Sequence, residues 1–190
     1  TTSDANLAAG HVLSGGAGTD TLTLSDITAV TDAQLENNTS IEVLTSAATG
    51  LNATLDEYAQ AMGITTVTFA GTASAGVADT VTIQDSVINA VTVNVDALND
   101  DASGTDDSND VIATTYTGVL TVTTAAATAI AGAAGNAAST EFTLTGGTGT
   151  SDTLNFHGGT FTATHLGSIT AVENWTQSDD VSSSLTLAEA

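Results

Sequence analysis

Apolar and polar residues alternate with a period of two in seven stretches of the chain: Thr21 to Ile27, Ile64 to Gly71, Asp79 to Asp85, Ala90 to Leu98, Gly118 to Ala125, Glu141 to Gly147 and Asp152 to Phe156. Successive side chains of a strand point to opposite faces, so each stretch predicts a half-buried strand with Thr or Asn turned outward. Asp79 and Asp110 stand directly before such runs, in "VADTVTI" and "SNDVIAT". The wealth of Thr, Val and Ile reinforces the reading, because β-branched side chains are stiff at χ1 and fit a pleated surface.

Three stretches break the alternation. In "NATLDEYAQAMG" (Asn52 to Gly63), Leu55, Tyr58, Ala59 and Met62 recur at helical spacing. Thr54 and Glu57 stand in capping-box register there and Gly63 supplies a stop, so a helix is expected over 52–63. "TDAQLENN" (Thr31 to Asn38) suggests a shorter second helix with Thr31 and Gln34 as its box. In "AAATAIAGAAGNAAS" (Ala125 to Ser139), Ala favours helix while the glycines and Thr favour strand and loop, which is the preferred reading.

The chain also echoes itself. "HVLSGGAGTDTLTL" from His11 is matched by "FTLTGGTGTSDTLNF" from Phe142, with Ser151 inserted in the second copy. "SIEVLTSA" (Ser40 to Ala47) and "SITAVENWTQS" (Ser168 to Ser178) each set a Ser-Ile pair near an acid and then an apolar residue. Imperfect repetition of one unit, without Pro or a linker-like segment, predicts a mainly β fold, either a β-solenoid or an elongated β-sandwich, with one or two short helices. A single unit over 1–190 is the simpler organisation; a subdivision into 1–63 and 64–190 is the alternative.

Charge narrows the function classes. The 190 residues contain no Lys or Arg against 22 Asp and Glu, a formal net charge of -22, with mean hydropathy +0.20. No carboxylate can pair with Lys or Arg. Each is therefore solvated, hydrogen-bonded to N–H or hydroxyl groups, protonated, or bound to a cation. Without positive charge to neutralise phosphate, nucleic acid is excluded as a partner, and so is an anionic membrane surface. No apolar run approaches the length of a membrane helix. The acids are mostly Asp, the shorter carboxylate that suits loop-borne ligands, and there is no Cys for a disulfide or a thiolate metal site. The start at Thr1-Thr2 reads as a mature product or an excised segment.

Gly15-Gly16-Ala17-Gly18-Thr19-Asp20-Thr21-Leu22-Thr23 fits the nonapeptide G-G-x-G-x-D-x-U-x of calcium-binding β-rolls, where U is a large apolar residue. Glycines permit the backbone turns that bring carbonyl oxygens together, Asp adds a charged oxygen, and U packs inside. Gly146, Gly147, Gly149 and, across the insertion, Asp152 repeat the match. On these residues the chain resembles secreted RTX-type calcium-binding proteins, and more narrowly the repeats of bacterial S-layer proteins and large adhesins. The resemblance implies export, calcium-dependent folding and self-association at the cell surface. Calcium takes six to eight oxygens, so a single turn cannot enclose it, and the two copies lie far apart. The alternative is a pair of glycine turns whose Asp residues cap backbone amides.

A second calcium candidate is the acidic stretch Asn99 to Asp110, with Asp100, Asp101, Asp106, Asp107 and Asp110. Like charges this dense repel unless a cation screens them, although the stretch lacks the order of an EF-hand loop. Enzymatic constellations are thin. His157 and His165 with Asp152 fit no catalytic or zinc spacing, and Trp175 reads as a packing anchor. Asn37, Asn38, Asn52 and Asn174 lie in glycosylation sequons of the kind a Thr-rich chain produces by chance. The expectation is a non-enzymatic, calcium-stabilised structural protein, extracellular or at the cell surface. It would assemble with copies of itself by strand addition at Thr-rich edges, with cell-surface polysaccharide as a further partner. A calcium-dependent adhesin or carbohydrate-binding module is the competing reading.

Overall fold

Successive strands alternate between two parallel sheets. The computed structural model describes residues 7, 11–25, 29–46, 50–69, 79–95, 109–126, 142–157, 160–161, 169–177 and 184–185. The first sheet has seven strands in the order β1 (Thr21–Leu24), β3 (Val43–Ser46), β5 (Thr66–Phe69), β7 (Val91–Val95), β9 (Leu120–Ala126), β11 (Thr153–His157) and β14 (Asn174–Gln177). The second has six, in the order β13 (Ile169–Thr170), β10 (Phe142–Thr145), β8 (Asn109–Ile112), β6 (Asp79–Ile83), β4 (Asn52–Leu55) and β2 (Ala29–Val30). A small pair joins β12 (Thr160–Phe161) to β15 (Ser184–Leu185).

Each pair in the two main ladders is parallel, as when Thr21 faces Val43, Val43 faces Thr66 and Thr66 faces Thr92. Parallel neighbours cannot be joined by a tight hairpin. The chain leaves one sheet, forms a strand of the other and returns one coil further on. This is a β-solenoid, the first of the two architectures expected. The ladder passes from β3 to β5 across residue 63 without a break.

The period-two pattern explains the core. In the first sheet Leu22, Leu44, Val67, Val93, Val122 and Leu154 stack in register and are buried, with half-buried Trp175 at the end of the column. Val30, Ala53, Val81, Val111 and Leu144 form the matching column of the second sheet. Burying one such side chain contributes about 1.5–3 kcal/mol, and the columns make one continuous core. The outward ranks of the first sheet are Thr21, Val43, Thr66, Thr92, Thr121, Thr153 and Asn174, and beside them Thr23, Thr45, Thr68, Asn94, Thr123, Asn155 and Thr176. Hydrogen bonds link ladder neighbours in the second rank, from Asn94 to the Thr68 hydroxyl (3.3 Å) and from Thr176 to Asn155 Oδ1 (3.2 Å).

The helix expected over 52–63 is shorter than predicted. Residues 52–55 form β4, and α1 spans Glu57–Met62. Asn52-Ala53-Thr54-Leu55 alternates as well as it fits a helix, and its pairing with Thr80 to Ile83 of β6 decides for strand. The Thr54–Glu57 box therefore does not set the helix start. Instead the Asp32 carboxylate, one coil earlier, accepts the N–H groups of Asp56, Tyr58 and Ala59, each at 2.9 Å. Gly63 closes the helix with φ 103°, as a left-handed C-terminal residue should. The second helix is a single 3-10 turn, Asp32–Leu35, at whose start the Thr31 N–H donates to Gln34 Oε1 (2.9 Å). Strands β2, β3 and β12 to β15 were not anticipated. Of the ambiguous run 125–139, residues 125 and 126 belong to β9 and the rest lie outside the described residues. Among the described residues no helix is long and apolar enough to cross a membrane.

Candidate functional site

The two glycine-rich matches occupy equivalent corners, each immediately before a first-sheet strand, β1 in one case and β11 in the other. Gly15 donates its N–H to the Thr39 carbonyl (3.1 Å), and Gly146 donates to that of Thr170 (2.9 Å). A Cβ on Gly15 would stand 1.9 Å from the Ser40 carbonyl oxygen, and one on Gly146 would stand 1.7 Å from that of Ala171. Ser40 and Ala171 are both left-handed, at φ 55° and 54°. Glycine is thus required at 15 and 146 by close backbone approach. The counterpart of Ser40-Ile41-Glu42 is therefore Ala171-Val172-Glu173, three residues beyond the Ser168-Ile169 pair that the sequence suggested.

The acids of these corners lie in one column, at the residue immediately before each first-sheet ladder position: Asp20, Glu42, Thr65, Val91, Leu120, Asp152 and Glu173. Acids in this column reach back one coil. Glu42 Oε2 accepts the Asp20 N–H (2.8 Å), Glu173 Oε2 accepts the Asp152 N–H (2.9 Å), and Asp152 Oδ1 accepts the Leu120 N–H (3.0 Å). Asp152 Oδ2 accepts a further N–H from Gly147 (2.6 Å). Asp152 is fully buried, and both of its oxygens satisfy main-chain donors that no water reaches.

Asp20 differs from its counterpart. Its Oδ2 is buried without a hydrogen-bond partner. Beside it lies a cavity of 290 Å³ between Leu13–Gly15 and Asp20–Leu22, floored by Ile41. Gly16 and Gly18 adopt φ 98° and 118°, and a Cβ at either would meet nothing within 4 Å. At the second corner, by contrast, a Cβ on Gly147 would stand 2.2 Å from the Tyr116 carbonyl oxygen, and one on Gly149 would stand 2.9 Å from that of Gly118. Buried Tyr116 fills that corner, donating its hydroxyl to the Asn89 and Val119 carbonyls while its own carbonyl receives the Thr148 N–H (2.8 Å). Burial, helped by the Asp152 charge, pushes the Tyr116 phenol up to about 12.

Asp79, expected directly before a strand, is instead the first residue of β6, and it does in the second sheet what Asp152 does in the first. It is buried and accepts the Leu51 N–H (2.6 Å), and burial raises its carboxyl above the usual range. Asp110 is half-buried in β8 between Thr80 and Thr143. Asp100, Asp101, Asp106 and Asp107 lie outside the described residues, as does His165, while His157 is the last residue of β11. Among the described residues no three of Asp, Glu and His converge as a metal cluster.

Sequence reasoning missed Asp32, Glu42 and Glu173. The signal for the two glutamates was present: each follows a β-branched apolar residue and stands directly before a strand, in Ile41-Glu42 and Val172-Glu173. No known protein family, curated protein or solved structure matches the chain.

Proposed function

We propose that this chain is a secreted structural protein whose coils continue by stacking, so that copies assemble into a surface layer or extracellular filament. One observation carries the reading: the first and last corners of the ladder repeat one geometry, Gly15, Ser40, Asp20 and Glu42 against Gly146, Ala171, Asp152 and Glu173. A solenoid contacts only its neighbouring coils, so a fold whose ends repeat the same device is suited to extension by further coils. Calcium is the stabilising cation of this reading. It would screen carboxylates that have no basic partner, foremost Asp100, Asp101, Asp106, Asp107 and Asp110, since the oxygens of Asp152 already hold main-chain donors. Negative-stain microscopy of the purified chain with calcium should show fibres or ordered arrays, and monodisperse particles at all protein concentrations would remove the proposal.

A second reading has its own support. The fourteen outward positions of the first sheet carry no charged residue, in a chain of net charge -22. A flat rank of hydroxyls and amides suits an uncharged, hydroxyl-rich partner such as a cell-surface polysaccharide. Retention on insoluble polysaccharide, lost when Thr68 and Thr123 are replaced by Glu, would support an adhesin or carbohydrate-binding role; retention unaffected by those changes would count against it.

A further inference from the structure

The two outward ranks of the first sheet form a lattice as well as an uncharged surface. Thr66, Thr92, Thr121 and Thr153 follow one another on four adjacent coils, and Thr23, Thr45 and Thr68 do so on three in the rank beside them. Each of these pairs is parallel and in register, so the hydroxyls repeat in two directions. Neighbouring strands stand about 4.8 Å apart, and residues two apart along a strand about 6.6 Å. Thr is stiff at χ1, and these side chains are half-buried among their rank neighbours, as at Thr66, Thr68 and Thr92. The array is therefore ordered before it meets a ligand.

The lattice of frozen water has nearly these repeats. With O–H···O bonds of about 2.75 Å and tetrahedral angles, second-neighbour oxygens in ice lie about 4.5 Å apart and its layers repeat at about 7.3 Å. The offset along the ladder, about 0.3 Å per row, accumulates to less than half a repeat over the seven strands. A charge on such a face would keep its own hydration water or lose solvation against the crystal. The outward side of the second sheet is interrupted in this way, with Asp110 between Thr80 and Thr143 and Ile112 between Thr82 and Thr145. None of the fourteen first-sheet positions is aromatic, so the face has no ring on which a sugar would stack.

We propose that the outward face of the first sheet binds ice. The Thr hydroxyls take oxygen positions in the outermost layer of the crystal, and the Thr methyl groups fill the spaces between them. Ice is a different ligand from the polysaccharide considered above for the same face, and the inference rests neither on that reading nor on assembly.

The test is the gap between the melting and freezing temperatures of a single ice crystal held in a solution of the full chain. Partition of the chain into slowly growing ice is the second readout. For wild type, a gap that widens with protein concentration and enrichment in the ice fraction are expected. Thr68→Tyr, which raises a ring above the second rank, should shrink the gap at least fivefold, while Thr82→Tyr on the second sheet should leave it unchanged. Thr92→Ser keeps the hydroxyl and removes the methyl with little change of shape, and should shrink the gap at least twofold. Unchanged thermal unfolding of these variants shows that lost ice binding is not lost folding. Wild-type chain that produces no gap and stays in the liquid overturns the proposal, and so does an equal loss in Thr68→Tyr and Thr82→Tyr. Retention on insoluble polysaccharide with no effect on ice overturns it in favour of the carbohydrate reading. Arrays that form while ice is unaffected leave the stacking function standing and reject this face as an ice binder.

Discussion

Asp152 and Asp20 share a sequence context and a place in the coil, yet they should respond oppositely to mutation. Asp152→Ala leaves the Leu120 and Gly147 N–H groups buried without acceptors, and each such loss costs about 1–3 kcal/mol. A drop of about 3 kcal/mol is therefore expected in urea unfolding, whereas Asp20→Ala removes an oxygen that nothing satisfies and should cost little. Asp79 gives a different signature. Burial raises its folded carboxyl above the unfolded value, so the stability it contributes is full below the unfolded pKa and is lost as pH rises through the folded one. Asp79→Asn abolishes that titration. The melting temperature of the variant relative to wild type should thus rise as pH climbs through the unfolded carboxylate range and level off once the folded carboxyl has ionised, and a difference that stays constant would contradict the assignment.

At the scale of the element, the glycine corner is a close-approach device before it is anything else. Gly146→Ala must displace the Ala171 carbonyl and the coil behind it, so a loss above about 3 kcal/mol is expected, at the upper end for point changes. Gly16→Ala meets no atom and carries only the strain of a positive φ, so the loss should be about 1 kcal/mol. Guanidinium unfolding of the two variants side by side distinguishes these causes. The seven strands were legible because alternation is local, and so was the correspondence of Gly15 with Gly146. The start of α1 was not, because its cap comes from Asp32 in another coil, and alternation in 52–55 is hard to tell from one face of a short helix. Nor was the column of acids: Asp20 and Glu42 become neighbours only when a whole coil has intervened. Parallel pairing leaves no turn signature between partners, so register had to come from the three-dimensional ladder.

Over the whole molecule, the decisive quantity is charge that no basic residue offsets. A net charge of -22 on a compact body repels itself, and the folded form holds those carboxylates closer together than the unfolded chain does. Added salt screens this repulsion over about 10 Å at 0.1 M, so the melting temperature should climb as sodium chloride is raised from 10 mM to 0.5 M. Screening alone depends on ionic strength and not on which cation supplies it. A calcium site adds a term that follows mass action, since an ion bound only by the folded chain stabilises it according to its concentration relative to Kd. The two are separated by melting the chain at constant ionic strength while calcium replaces sodium. A further rise that saturates with calcium and disappears with chelator is the outcome expected if Asp100, Asp101, Asp106, Asp107 and Asp110 hold the ion. A melting temperature that depends on ionic strength alone would reduce calcium to a counterion and leave the solenoid supported by its apolar columns and main-chain clasps.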